Sequence, residues 1–98
     1  PQTMEIRRLL ALAEQSLQDF RLTSPAGDNA LGYYEQVLSL VPFHPEAEKG
    51  VQRVADAYVE LAKIAMERGR HRQARRYVRL GLAVVPDHDG LLRLAKRR

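Results

Sequence analysis

The chain has 98 residues, of which 45% are hydrophobic and 29% charged, a composition that suits one soluble globular domain and excludes a disordered chain. Cysteine is absent, which excludes disulfide bonds and thiolate metal ligands, and no apolar run reaches membrane-spanning length. The net charge of +4 is uneven, because residues 1–67 carry 6 basic and 10 acidic side chains whereas residues 68–98 carry 10 and 2. This asymmetry favours an anionic partner.

The N-terminal third predicts two helices. A first helix is predicted over about residues 3–20, with one apolar stripe at steps of three and four residues. The stripe consists of Ile6, Leu9, Leu10, Ala13, Leu17 and Phe20. Ser24-Pro25 predicts the start of a second helix, since Ser is a favoured N-cap and Pro is favoured at the first helical position. This helix is expected to end near Leu40.

Three more helices are predicted after the turn at Pro42 and Pro45. The apolar period indicates a third helix that ends near Gly69 and a fourth over about residues 72–85. A short fifth helix follows Pro86 and carries apolar side chains on more than one side: Leu91, Leu92, Leu94 and Ala95. The sequence therefore predicts an all-α protein of about five helices.

Two stretches of the chain, 44 residues apart, have similar sequences. Leu38-Ser39-Leu40-Val41-Pro42-Phe43-His44 corresponds to Leu82-Ala83-Val84-Val85-Pro86-Asp87-His88, and Tyr33 and Ala30 correspond to Tyr77 and Ala74. A period of 20 to 50 residues is typical of helical repeats, in which each unit buries its apolar face against a neighbour. The repeat predicts a scaffold.

The residues of the two copies carry a family resemblance. The second copy contains Tyr58-x2-Leu61-Ala62-x2-Ala65, Ala74-x3-Val78 and Pro86, and the first contains Leu9-x2-Leu12-Ala13-x2-Ser16, Ala30-x3-Tyr34 and Pro42. Both resemble a degenerate form of the tetratricopeptide repeat, W-x2-L-G-x2-Y…A-x3-F…P. Residues 22–30 are similar to repeat segments of larger bacterial multidomain proteins. Because the sequence begins at Pro1 rather than Met, we expect a piece of such a protein.

The resemblance implies a single domain, residues 1–98, of antiparallel helix hairpins. Its first unit is about residues 3–42, with a longer loop between the helices, and its second is about residues 45–86, with an extended first helix. Residues 87–98 are expected to form a capping helix. A soluble protein of the bacterial cytoplasm or periplasm is expected, and the sequence does not distinguish the two compartments.

The resemblance also implies a binding groove along the first helix of each pair. The groove residues by this analogy are Arg7, Leu10, Glu14 and Leu17 from one pair, and Asp56, Val59, Lys63 and Met66 from the other. The Lys and Asn with which such repeats grip acidic chaperone tails are absent near Leu10 and Glu14. We therefore expect an apolar or amphipathic peptide segment, or a neighbouring fold, as the partner.

The sequence offers little for catalysis, and we predict no catalytic, cofactor-binding or metal-binding residue. His44 and His88 both follow a helix-ending Pro, where a turn or N-cap role is expected. Asp87-His88-Asp89 favours helix capping by an aspartate over a metal site, because adjacent residues rarely converge on one ion. The lone Gly27 beside the second helix lacks the companion glycines and Lys of a phosphate-binding loop. We therefore expect that the protein is not an enzyme and needs no cofactor.

Four arginines, Arg72, Arg75, Arg76 and Arg79, are spaced to form one basic stripe on the predicted fourth helix, opposite its apolar side. A solvated face, a protein or anionic-surface contact, and nucleic-acid binding remain open for it. Nucleic acid is the least favoured, since only Tyr77 interrupts these residues and it lies on the apolar side.

Two functions follow from these observations. The first is a protein–protein interaction scaffold that binds a partner segment or another copy of itself, since two repeats fall short of the three usually needed to bury a continuous core. The second is an electrostatic tether that binds nucleic acid or an anionic surface through the C-terminal arginines. The apolar surplus of the last helix further predicts self-association, or docking of neighbouring sequence, at the C-terminal end.

Overall fold

The computed structural model describes residues 2–97, and over these residues the chain is helical without strands. Its helices are α1 (Gln2–Gln18), α2 (Ala30–Leu40), α3 (Pro45–Glu67), α4 (His71–Val84) and α5 (Asp89–Ala95). The predicted all-α fold of five helices is confirmed. The chain divides into two compact units, unit 1 (Pro1–Gln52) and unit 2 (Arg53–Arg98), with the boundary inside α3. The single tetratricopeptide-like domain and its repeat bounds stay predictions.

In unit 1, α1 packs against α2. The Gln2 side-chain amide donates to the carbonyl oxygen of Leu40 at 3.1 Å, which brings the start of α1 to the end of α2 and makes the pair antiparallel. Leu9 and Ala13 of α1 and Val37 of α2 are buried, as the helical period predicts.

The second helix begins five residues later than the Ser24-Pro25 signal predicts. Asn29 is the N-cap, and its Oδ1 accepts from the Gly32 amide at 2.7 Å. The amides of Ala30 and Leu31 donate to main-chain carbonyls of the preceding loop at 2.8 and 3.0 Å. Because the first-turn amides find these partners only from Asn29 onward, the helix starts there.

The loop over residues 19–29 is organised around Arg21. Its Nη1 donates to Asp19 at 2.6 Å and its Nη2 donates to the hydroxyl of buried Ser16 at 3.1 Å, while its Nε lies 3.7 Å from Asp28. Hydrogen bonds from the Gln15 amide and from Arg21 lower the pKa of the Asp19 carboxyl below its usual value. These contacts tie the long loop to the end of α1.

The predicted end of the first helix is wrong by two residues. Helix α1 ends at Gln18, and Phe20 adopts a left-handed backbone with a φ of 57°. A left-handed residue terminates a helix, and it turns the Phe20 side chain away from the stripe of α1. Phe20 is 52% exposed rather than buried, contrary to the prediction.

In unit 2, α4 and α5 pack together over a core made by Ala62, Val78 and Leu94. Leu91 of α5 is fully buried and lies so near Gly81 of α4 that a methyl group at Gly81 would meet it at 2.5 Å. The absence of a side chain at Gly81 therefore permits the close approach of these two helices.

His44 and His88 cap helices, as predicted. His88 is the N-cap of α5, where its Nδ1 accepts from the Leu91 amide at 3.2 Å and its Nε2 lies 2.7 Å from Asp56 Oδ1. His44 Nδ1 accepts from the Ala47 amide at 3.4 Å in the first turn of α3. The capping residue at α5 is thus His88 and not an aspartate, because the ring nitrogen reaches the third helical amide.

Candidate functional site

Unit 2 contains an open cleft of about 620 Å³ between its helices. We call it the basic-rimmed cleft. Its walls are formed by Met66, His71, Ala74, Arg75, Val78, Arg79, Leu94, Ala95 and Arg97. The volume lies within the range of ligand-binding pockets, and the lining is apolar at the floor and cationic at the rim.

The floor is formed by small and medium apolar side chains. Ala74 and Val78 lie one turn apart on α4 and are buried, and Leu94 of α5 packs against Val78. Met66 at the end of α3 is half-buried and Ala95 is exposed. Because Ala74 and Ala95 carry only a methyl group, they leave a concavity where longer side chains would close the surface.

The rim carries three arginines. Arg75 and Arg79 are exposed and lie four residues apart on α4, and Arg97 follows α5. Within the described part of the chain, none of the three makes a salt bridge or a side-chain hydrogen bond. Their guanidinium groups are therefore available to an anionic ligand, and their planar forks suit carboxylates and phosphates.

Unit 2 as a whole has an excess of basic side chains, which adds to the positive charge of the rim arginines. Residues 53–98 contain 12 Lys and Arg against 5 Asp and Glu. A shallow depression over residues 69–75 adjoins the basic-rimmed cleft and shares His71 and Arg75 with it. Together they form a basic surface, which is electrostatically complementary to acidic groups.

The predicted basic stripe is exposed at all four positions, but its members have different surroundings. Arg75 and Arg79 lie on the rim of the basic-rimmed cleft, and Arg72 lines only the adjoining depression. Arg76 lines neither of these concavities. The stripe therefore provides a pair of rim arginines and a matched pair outside the cleft.

The α1 part of the predicted groove lies in unit 1. Arg7 is exposed, Leu10 and Glu14 are half-buried, and Leu17 is buried. Leu17 is only 9% exposed and so belongs to the core of unit 1 more than to its surface.

The α3 part of the predicted groove lies in unit 2, and two of its side chains are engaged in the fold. Asp56 holds the His88 ring, and Val59 packs against the core of unit 2. Lys63 is exposed, and Met66 contributes to the basic-rimmed cleft. Only Met66 thus joins the cleft, and the groove along the first helices stays a prediction.

Sequence reasoning missed the cleft itself. Its wall from α5 depends on Leu94 and Ala95, and the signal for them was the surplus of apolar side chains on the last predicted helix. That signal led to a prediction of self-association, or of docking by neighbouring sequence, at the C-terminal end, whereas the structure buries Leu91 and Leu94 within unit 2.

Residues 2–97 provide neither a membrane-spanning helix nor a cluster of metal ligands. No helix there is long and apolar enough to cross a membrane. Nor do three His, Asp or Glu side chains in this part of the chain lie close enough to share a metal ion. Comparisons with protein-family models, with curated proteins and with solved structures found no significant match. The basic-rimmed cleft is thus the candidate site of this chain.

We expect the arginine stripe to be dispensable for folding. Replacing Arg72, Arg75, Arg76 and Arg79 together by Gln removes four exposed charges from α4. Surface changes of this kind alter stability by no more than about 0.5 kcal/mol per site. Urea denaturation followed by circular dichroism measures the change. A loss of several kcal/mol would show instead that the stripe supports the fold.

Proposed function

We propose that this chain is a non-catalytic protein-interaction module, built of tetratricopeptide-like helix pairs, which binds a peptide segment of a partner in the basic-rimmed cleft. The observation that carries the proposal is an open cleft in which half-buried Met66 and exposed Ala95 present apolar surface beside the buried Ala74 and Val78. Its rim arginines have no partner in residues 2–97. Apolar surface of this kind gains free energy when it is covered, at about 25 cal/mol per Å².

The chemistry of the cleft supports a peptide more than a small metabolite. Its polar groups are cations distributed around the rim, whereas sites for small molecules place a few polar groups inside to fix the orientation of the ligand. An apolar trough with a charged border is typical of grooves that receive an amphipathic helix. Binding of a partner segment then requires no catalytic side chain.

Selection from a displayed peptide library, followed by affinity measurement, tests the proposal. Segments selected on the natural chain are expected to lose about tenfold or more in affinity for a Met66→Gln/Ala95→Gln variant, because both changes place amides in the apolar floor. Glu60→Gln is the matched control, since Glu60 is exposed on α3 and does not line the cleft.

Further measurements check the fold of each variant, and two results would contradict the proposed peptide binding. Light scattering and circular dichroism establish that each variant keeps the fold and the oligomeric state of the parent. Selected segments that bind the parent and the Met66→Gln/Ala95→Gln variant equally would exclude the cleft as their site. A library from which no segment is enriched would count against a peptide-binding module altogether.

An electrostatic tether is the second candidate, and the excess of basic residues in unit 2 favours it. A tether that neutralises several phosphates loses affinity steeply as salt rises, whereas apolar docking responds weakly. Tyr77, the one aromatic side chain within the stripe, is half-buried with its ring centroid 6.2 Å from that of Tyr58. It is therefore poorly placed to stack on bases, and nucleic acid remains the less favoured partner.

Self-association is the remaining possibility, in which a second copy supplies the segment. Unit 1 exposes Met4, Leu40 and Phe43, with Phe43 82% exposed. The bond from Gln2 to Leu40 brings the α1 start and the α2 end together, so these apolar side chains lie at one end of the unit. Light scattering over a concentration series reports whether the chain is a homo-oligomer.

A further inference from the structure

We infer that the segment held by the basic-rimmed cleft is an acidic amphipathic helix whose carboxylates recur one turn apart. This inference rests on the proposed function and specifies its ligand. It commits to a protein partner, and it leaves nucleic acids and anionic membranes as outcomes of the test.

The spacing of the rim arginines sets the spacing of the acids. Arg75 and Arg79 are four residues apart on α4, which at 1.5 Å per residue separates them by about 6 Å along the axis. Two carboxylates at positions i and i+4 of another helix have the same separation and lie on one face. A helix laid along α4 therefore offers one carboxylate to each arginine, and each guanidinium can donate two parallel hydrogen bonds to it.

The floor sets the apolar stripe in the same way. Ala74 and Val78 also lie one turn apart, beside the two rim arginines, and Leu94 provides the opposite wall. Apolar side chains at i, i+3, i+4 and i+7 of the bound helix would cover this floor. Arg97, on the α5 side, then meets a carboxylate on the other flank of the stripe.

The alternatives fit the cleft less well. A nucleic acid would leave the apolar floor uncovered by its charged backbone, and the cleft is lined by no Phe, Tyr or Trp, the imidazole of His71 being the one ring among its lining residues. A membrane surface meets exposed cations without entering a concave trough. Only a ligand with both an apolar face and carboxylates uses floor and rim together.

Three synthetic peptides of about 16 residues test the inference, each with leucines at i, i+3, i+4 and i+7. The first carries glutamates beside the leucines, the second carries glutamines there and the third lysines. Fluorescence anisotropy is expected to show that the acidic peptide binds about tenfold more tightly than the glutamine peptide at 0.15 M salt. Three exposed ion pairs contribute a factor of about two each.

Reversing the charge of the two rim arginines on α4 tests whether they cause the preference for the acidic peptide. Arg75→Glu/Arg79→Glu is expected to weaken the acidic peptide by about tenfold or more and to make the lysine peptide the better ligand. Arg72→Glu/Arg76→Glu, on the same helix, changes net charge equally but leaves the rim intact. This control should weaken the acidic peptide clearly less than the rim reversal does, because Arg72 and Arg76 do not line the basic-rimmed cleft and act on a bound peptide only through the general charge of the helix.

The outcomes separate this inference from the proposed function. If the glutamine peptide binds as tightly as the acidic one, and Met66→Gln/Ala95→Gln abolishes both, the cleft binds peptides and the acidic requirement is wrong. If no peptide binds to the cleft, the proposed function fails as well. If both reversals weaken binding equally, or if duplex DNA or anionic vesicles outcompete the acidic peptide, binding follows net charge and the inference is overturned.

Discussion

Gly50→Ala is expected to destabilise the chain by about 1–3 kcal/mol, although alanine inside a helix is ordinarily about 1 kcal/mol more stable than glycine. Gly50 lies within α3 and is buried. A methyl group there would lie 2.3 Å from two atoms of the Tyr34 ring, and Tyr34 is only 2% exposed. Because the ring is buried in a close-packed interior, the added methyl must displace packed structure. Thermal or urea denaturation measures the loss.

The same Gly50→Ala substitution in a chain without the Tyr34 ring tests whether that ring causes the destabilisation. In a Tyr34→Ala chain the ring is gone, and Gly50→Ala should then stabilise by about 1 kcal/mol through helix propensity alone. The sign of the effect is thus expected to reverse between the two backgrounds. Destabilisation of similar size in both would mean that the Tyr34 ring is not what excludes a side chain at Gly50.

Ala62→Leu is expected to cost about 1–3 kcal/mol by overpacking. Ala62 has no exposed surface and packs with Val78 and Leu94 in the core of unit 2. Three additional carbon atoms at this position must push Val78 and Leu94 apart, and both of these residues also line the basic-rimmed cleft. A weaker affinity for any cleft ligand should therefore accompany the loss of stability.

Lys63→Leu is the matched control for this prediction. It introduces the same side chain at the next position of α3, where Lys63 is exposed, and should change stability by no more than about 0.5 kcal/mol. The packing argument fails if the Ala62→Leu chain unfolds at the same denaturant concentration as its parent.

The helices were largely predictable because each depends on a local pattern. The apolar period predicted α3 and α4, although α3 begins at Pro45, which was expected to lie in the preceding turn. The start of α2 was not predictable in this way, since Ser24-Pro25 and Asn29 are both good local signals. Hydrogen bonds from the first-turn amides of α2 to the Arg21 and Leu22 carbonyls favour Asn29.

The candidate site likewise has one part that the sequence predicts and one part that depends on tertiary packing. Exposure of the arginine stripe was predictable from the period of α4 alone, because residues opposite a buried stripe face solvent. Which arginines border a cleft depends on α5, whose seven residues approach α4 where Gly81 has no side chain and Leu91 fits against it. A local pattern specifies which side of a helix is apolar. The contact that distinguishes Arg75 and Arg79 from Arg72 and Arg76 joins residues distant in sequence, so only packing in three dimensions establishes it.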